Sequence, residues 1–228
     1  MFRSYNKDFF KKWSLEMAYV LGYIFADGTI FKNRRGAHFL EIISTDLEII
    51  KKIKKILGSE HKIGIKLREN RKWKTAYRIQ IGSKEMIGDL MNRGLIQSKS
   101  LVSVFPAVPK LYLGSFVRGY FDGDGGVYFG KCWKRDRGKY TWVFQTGFTS
   151  GSKKFLLGLQ QSLNGYLKGG YLYTKQRGGY GLNFSRHDSV ALFKLMYNNV
   201  STGAFLERKF NTFLKAFRVL KYNVAGVV

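Results

Sequence analysis

The sequence has one cysteine, Cys132, three histidines, His38, His61 and His187, and two prolines, Pro106 and Pro109. A lone cysteine excludes a disulfide scaffold, and so few Cys and His residues cannot assemble a zinc cluster, so any metal must sit on carboxylates. Acidic residues are also scarce, at 15 against 40 lysines and arginines. The longest apolar run, Met17 to Ala26, falls far short of the roughly 20 residues a transmembrane helix needs, and reads as a buried helix. The N-terminal stretch MFRSYNKDFFKKW carries charges where a signal peptide would be continuously apolar. No Gly-rich phosphate loop or parallel-sheet pattern is visible. A soluble intracellular protein with no membrane partner is expected.

What is present is charge and aromatic bulk. The 228 residues hold a formal charge of +25, with 45% hydrophobic residues including 19 Phe, 14 Tyr and 4 Trp. That is ample for a packed core and excludes a disordered basic tail. The length allows one domain or two small ones. Such self-repulsion calls for an anionic partner, and nucleic acid is the expected one.

The chain repeats itself. Ala18, Gly22 and Ala26 fall at i, i+4 and i+8 before Asp27-Gly28, and Ser115, Gly119 and Gly123 fall the same way before Asp124-Gly125. Each helix so formed carries a strip of small residues along one side. A mid-helix glycine costs roughly 1 kcal/mol relative to alanine, so its presence in both copies implies close packing, most simply of one strip on the other. After each Asp-Gly the same order follows. The strands Thr29 to Asn33 and His38 to Ser44 lead to an amphipathic helix from Asp46, then the strands Lys62 to Glu69 and Ala76 to Ile81, then a helix from Lys84 to Arg93. The counterparts are Gly126 to Gly130, Tyr140 to Thr149, a helix from Lys153, Gly170 to Arg177, Tyr180 to Ser185, and Ser189 to Asn199. The expected fold is α+β, with two pseudo-twofold αββαββα units at 1–110 and 111–228 joined through the Pro106/Pro109 connector. Each unit has an antiparallel sheet covered by helices on one face and open on the other.

Strand alternation predicts what the open faces carry. Ile63, Ile65 and Leu67 point inward and Lys62, Lys66 and Arg68 outward, while Tyr77, Ile79 and Ile81 oppose Arg78 and Gln80. In the second unit Tyr180, Leu182 and Phe184 point inward, leaving Asn183, with Tyr173, Lys175 and Arg177, outside. Turns add Lys32, Arg34 and Arg35 in one unit, and Lys131, Lys134, Arg135, Arg137 and Lys139 in the other. Two basic antiparallel sheets about a pseudo-dyad form a saddle for the DNA major groove, spanning roughly two helical turns.

If the small-residue strips touch, Asp27 and Asp124 lie side by side at two helix ends, where like charge and helix dipole both oppose ionisation. One Asp-Gly is an ordinary turn signal. Two, matched on glycine-striped helices in a basic chain, form a carboxylate pair of the kind Mg²⁺ uses with phosphate and water.

VLGYIFADG (20–28) and VRGYFDGDG (117–125) resemble the two signature helices of a monomeric LAGLIDADG homing endonuclease, and the repeated element order resembles that family's across nearly the whole chain. The resemblance implies a rare-cutting, Mg²⁺-dependent endonuclease acting on a long, asymmetric double-stranded DNA target, with Mn²⁺ or Ca²⁺ able to substitute in binding. It assigns metal coordination to Asp27 and Asp124, with Ala26 and Gly123 beside them, and an active-site lysine to Lys99 and Lys209. The DNA-contacting set then also takes in Thr29, Phe31, Asn33, Tyr128 and Gln145. A polar active-site residue of the family falls on Ser44 and Ser150, or on Gln145. Asp122 has Phe25 as its counterpart, which argues against a required catalytic role for it.

Two other readings use the same scaffold: an intron maturase that binds intron RNA, and a DNA-binding regulator without catalysis. Cys132 is expected in a basic loop as an unremarkable thiol. Trp13, Trp73 and Trp133 serve as loop anchors or base-stacking groups, and Trp142 as core or as a stacking group.

Overall fold

The computed structural model describes residues 3–66, 74–97, 103–198, 200 and 203–223. Ser14 opens α1 (Leu15–Asp27) by accepting the Met17 N–H at 3.0 Å, satisfying one of the free donors of the first turn. There follow β1 (Gly28–Lys32), β2 (His38–Ser44), α2 (Leu47–Ile56), β3 (Gly64–Lys66), β4 (Ala76–Gly82) and α3 (Lys84–Asn92). The second unit repeats the order with α4 (Lys110–Asp124), β5 (Gly125–Lys134), β6 (Lys139–Ser150), α5 (Lys153–Ser162), β7 (Tyr171–Thr174), β8 (Tyr180–Phe184) and α6 (Arg186–Tyr197), and adds α7 (Glu207–Leu220). The sheets are antiparallel, ordered β1-β2-β4-β3 and β5-β6-β8-β7. Among the described residues no helix is long and apolar enough to cross a membrane.

The small-residue strips do meet. A methyl group on Gly22 would run into the Phe116 carbonyl, and one on Gly119 into the Tyr19 carbonyl, so at these two points α1 and α4 touch backbone to backbone. Lower down, Gly123 lies against the Ala26 methyl. Every residue of α1 from Met17 to Phe25 is buried, because one side meets α4 while the others meet the first sheet and its helices.

Several local expectations need correction. Gly28 and Gly125 end the motif helices in extended conformation (φ −90° and −94°), not in the left-handed turn usual at a helix stop. Glycine is needed there because a side chain would strike Ile24 or the Phe121 backbone as the chain turns directly into a strand. β3 starts at Gly64, after Lys62 and Ile63, and Ile65 is 62% exposed although it shares the inward parity of Tyr77. It sits on an edge strand, where helical cover has run out. Lys175 and Arg177 belong to the β7–β8 turn, closed by Lys175 N–H to the Gly179 carbonyl at 3.0 Å, and not to a strand. Conversely Lys131, Cys132, Lys134 and Lys139 are in strands, because the β5–β6 hairpin runs to a short 3₁₀ turn at Arg135–Arg137. Trp142 is half-buried, stacked on Phe129 at 4.6 Å with Lys131 above it.

Candidate nucleic-acid interface and metal centre

The seam delivers the acidic residues to one place. Each motif helix ends at its aspartate and passes at once into the first strand of its sheet. The Asp27 carboxylate lies against the last turn of α4: a methyl group on Gly123, the residue before Asp124, would be 3.3 Å from Asp27 Oδ2. Both aspartates act on the same neighbours, since the Tyr120 phenol and the Lys209 ammonium each feel Asp27 and Asp124. Ala26 and Gly123 face each other across the seam between them.

Two tyrosines flank this pair, and motif reading passed over them. Burial raises the Tyr23 phenol far above its ordinary range, and Ser44 and Asp27 both hydrogen-bond it. Tyr120 is raised likewise by burial, bonds Ser150, and donates to the Thr149 carbonyl at 2.8 Å. Their signal was present as the Gly-Tyr pair of both motif copies, Gly22-Tyr23 and Gly119-Tyr120. Ser44 and Ser150 thus support the tyrosines at pseudo-equivalent positions, while Gln145 stands apart from them on the open sheet.

Lys209 lies at the C-terminal end of α4, where both aspartates act on it. It is 5% exposed, and its ammonium donates to the carbonyls of Phe121 (2.5 Å), Asp122 (2.8 Å) and Gly125 (2.7 Å). A lysine has three donors, so all are used to close the C-terminal end of α4. Burial lowers its pKa to about 8, opposed by the attraction of Asp122. Asp122, 2% exposed, accepts from the Tyr19 hydroxyl at 2.8 Å and from Leu206 N–H at 3.0 Å. Burial pushes its carboxyl up to about 6, against the pull of Lys209, Tyr19, Leu206 and Arg118. One turn back along α4, Arg118 donates to the carbonyls of Ala204 (3.0 Å) and Met196. Arg118, Asp122 and Lys209 therefore clamp the segment after α6, and the start of α7, onto the helix that ends at Asp124. Lys99 and Arg68 lie outside the described residues, as does Trp73.

Register places Thr29, Phe31, Lys66, Arg78 and Gln80 on the open face of the first sheet, together with Phe39, Glu41 and Ile43. That face is less purely basic than alternation predicted: Arg78 pairs with Glu41 at 3.5 Å and Phe31 stacks on Phe39 at 5.5 Å. Arg34 and Arg35 are exposed in the β1–β2 turn. Asn33 shapes that turn instead of projecting from it, its side-chain oxygen accepting the N–H groups of Arg35 and Ala37. In the second unit Tyr128, Gln145, Tyr173 and Asn183 share the open face, with Lys134 and Arg135 exposed at the hairpin end and Lys175 and Arg177 in the β7–β8 turn. Here too a basic sheet was expected. The central surface is aromatic and amide, and the cations sit at its ends.

Comparison with known proteins follows this geometry. Residues 14–93 match the LAGLIDADG-like domain. No curated protein matches by sequence. Among solved structures, a point mutant of I-SmaMI aligns with a TM-score of 0.61 at 12% identity, covering 90% of this chain and 91% of that one. Mesophilic variants of the homing endonuclease I-DmoI give 0.55 at 17% identity over 86% and 92%. I-SmaMI bound to an uncleaved DNA target in the presence of calcium ions gives 0.58 at 12% identity over 92% of each chain. Residues 14–93 thus match a LAGLIDADG-like domain, and nearly the whole chain carries the two-unit α+β fold seen in I-SmaMI and in the homing endonuclease I-DmoI.

Proposed function

We propose that the protein is a site-specific, divalent-metal-dependent endonuclease for double-stranded DNA that works as a single chain. The observation that carries this reading is the position of Asp27 against the last turn of α4, beside Asp124, at the junction of two open sheet faces. Two hard carboxylates on adjacent helix ends, which the peptide oxygens of Ala26 and Gly123 would join, make a donor set that suits Mg²⁺, which takes one or two carboxylates and completes its shell with water and phosphate. Mn²⁺ and Ca²⁺ share that preference for oxygen, and I-SmaMI on its uncleaved target was studied with calcium ions. Such an ion would supply Lewis-acid stabilisation of charge on the phosphodiester oxygens.

The chain's own residues do the rest. The backbone contacts at Gly22 and Gly119 fix the carboxylate pair, Tyr23 orients Asp27 by hydrogen bonding, and Lys209 anchors the end of α4 while its positive charge offsets the repulsion between the aspartates. Thr29, Phe31, Lys66, Arg78 and Gln80 on one face, and Tyr128, Gln145, Tyr173 and Asn183 on the other, meet base edges. Arg34, Arg35, Lys134, Arg135, Lys175 and Arg177 meet backbone phosphates. Asp27→Asn and Asp124→Asn are expected to bind duplex DNA with affinity within about three-fold of the parent while cleavage falls by at least about 100-fold, measured by gel shift and by plasmid linearisation. Substantial cutting by the double variant would remove the assignment.

A second reading is favoured by one observation. Lys51 and Lys55 on α2, with Lys7 and Lys12 of the N-terminal segment, are exposed on the helical side, where DNA seated on the sheets leaves them uncovered. An intron RNA would find cations there, as a maturase requires. Competition between intron RNA and duplex DNA separates the two: RNA binding that survives saturation with DNA supports it, and full competition removes it.

A further inference from the structure

The register allows the two open faces to be compared position by position, and they are not alike. Gly28 pairs with Ile42 as Gly125 pairs with Phe148, and Ile42 pairs with Ile79 as Phe148 pairs with Leu182. Thr29, Glu41 and Arg78 therefore correspond to Gly126, Gly147 and Gly181. In the first sheet these places are filled, Arg78 lying 3.5 Å from Glu41. In the second they are bare, and a pocket of about 430 Å³ opens beside Asp124. Glycine in a strand interior marks close approach of another group; at Gly181 and Gly147 that group is a side chain of the same sheet, and Gly126 has nothing within 4 Å of where its Cβ would be.

The side chains around the pocket define what it accepts. The Tyr173 ring lies across Gly181 and the Asn183 carboxamide across Gly147, each where a Cβ would stand. Tyr128 and Gln145, a cross-strand pair, stand beside them. None of the described residues lining it is a lysine or arginine. In a chain with 40 such residues, the pocket has one charged group, the Asp124 carboxylate at its edge, and its remaining polar side chains are amides, hydroxyls and phenols, so it lacks the Arg or Lys that reads the O6 and N7 of guanine. Carboxamides match the N6 and N7 of adenine, and ring edges pack on the thymine methyl group. Building on the endonuclease reading, we infer that this pocket makes the second unit an A·T reader. The base pairs beside the cut on that side are A·T, with adenine held by Asn183 and Gln145 and thymine packed between Tyr128 and Tyr173. The first face, carrying Arg78 and Lys66, follows a different rule, and the target is asymmetric for that reason.

The test is a selection of the full chain on a randomised duplex library for binding in Ca²⁺, after which the recovered duplexes are incubated with Mg²⁺. Expected is an A·T-constrained stretch on one side of the centre. Asn183→Ala and Gln145→Ala each relax that constraint, reducing discrimination at one pair by about ten-fold, and leave the other half-site unchanged. Substituting the DNA tests the unaltered protein. 7-Deazaadenine at the constrained adenine weakens binding roughly five-fold, and uracil for thymine about three-fold. Binding without sequence preference, G·C or unconstrained pairs at these positions, variants that relax both halves alike, or analogues without effect each overturn the A·T assignment. Duplexes that show the A·T constraint yet stay intact in Mg²⁺ overturn the endonuclease reading instead and leave this assignment standing.

Discussion

At the scale of single residues, Lys209 shows what a sequence conceals. Its place after the last helix of the repeat was legible, but its three acceptors lie more than 80 residues away, two on α4 and the third at Gly125, which follows it, and no local pattern encodes them. The same holds for Asp122, whose burial and bonds to Tyr19 and Leu206 depend on α1 and on the start of α7. Lys209→Met is expected to leave three carbonyls short of a donor and Asp122 without its strongest counter-charge, lowering stability by about 3 kcal/mol in urea titration. Cleavage should fall further than unfolding alone explains, because the end of α4 carries Asp124.

At the scale of elements, the motif helices were the clearest part of the sequence, since a small residue every fourth position has one inexpensive explanation and the structure supplies it. Gly22→Ala would push a methyl group into the Phe116 carbonyl, whereas Gly88, inside α3, has nothing within 4 Å of the same position. Thermal melts should show Gly22→Ala destabilised by at least about 2 kcal/mol and Gly88→Ala stabilised by about 0.5–1 kcal/mol. The α7 helix was missed although Phe210, Phe213 and Phe217 keep helical spacing. It breaks the repeat: the first unit has no matching helix among the described residues. Strand ends were misjudged for another reason: alternation gives parity but not how far the helical cover extends, as Ile65 shows.

For the molecule as a whole, the +25 charge pointed to nucleic acid before any element was placed, because composition alone sets long-range electrostatics. What composition could not give was its distribution, with cations at the rims of the second sheet and neutral groups at its centre. Duplex affinity is expected to fall by at least about 100-fold between 50 and 200 mM salt, because releasing counterions into more concentrated salt gains less free energy, measured by fluorescence anisotropy. The contacts at Gly22 and Gly119 reach beyond packing. Each sheet begins where its motif helix stops, so two peptide backbones with no compressible side chain between them hold both reading surfaces at a fixed pitch. The protein is thereby a rigid calliper: a target lengthened by one base pair at its middle carries one half-site about 3.4 Å away and turns it about the duplex axis, and this hinge-free joint has no slack with which to follow.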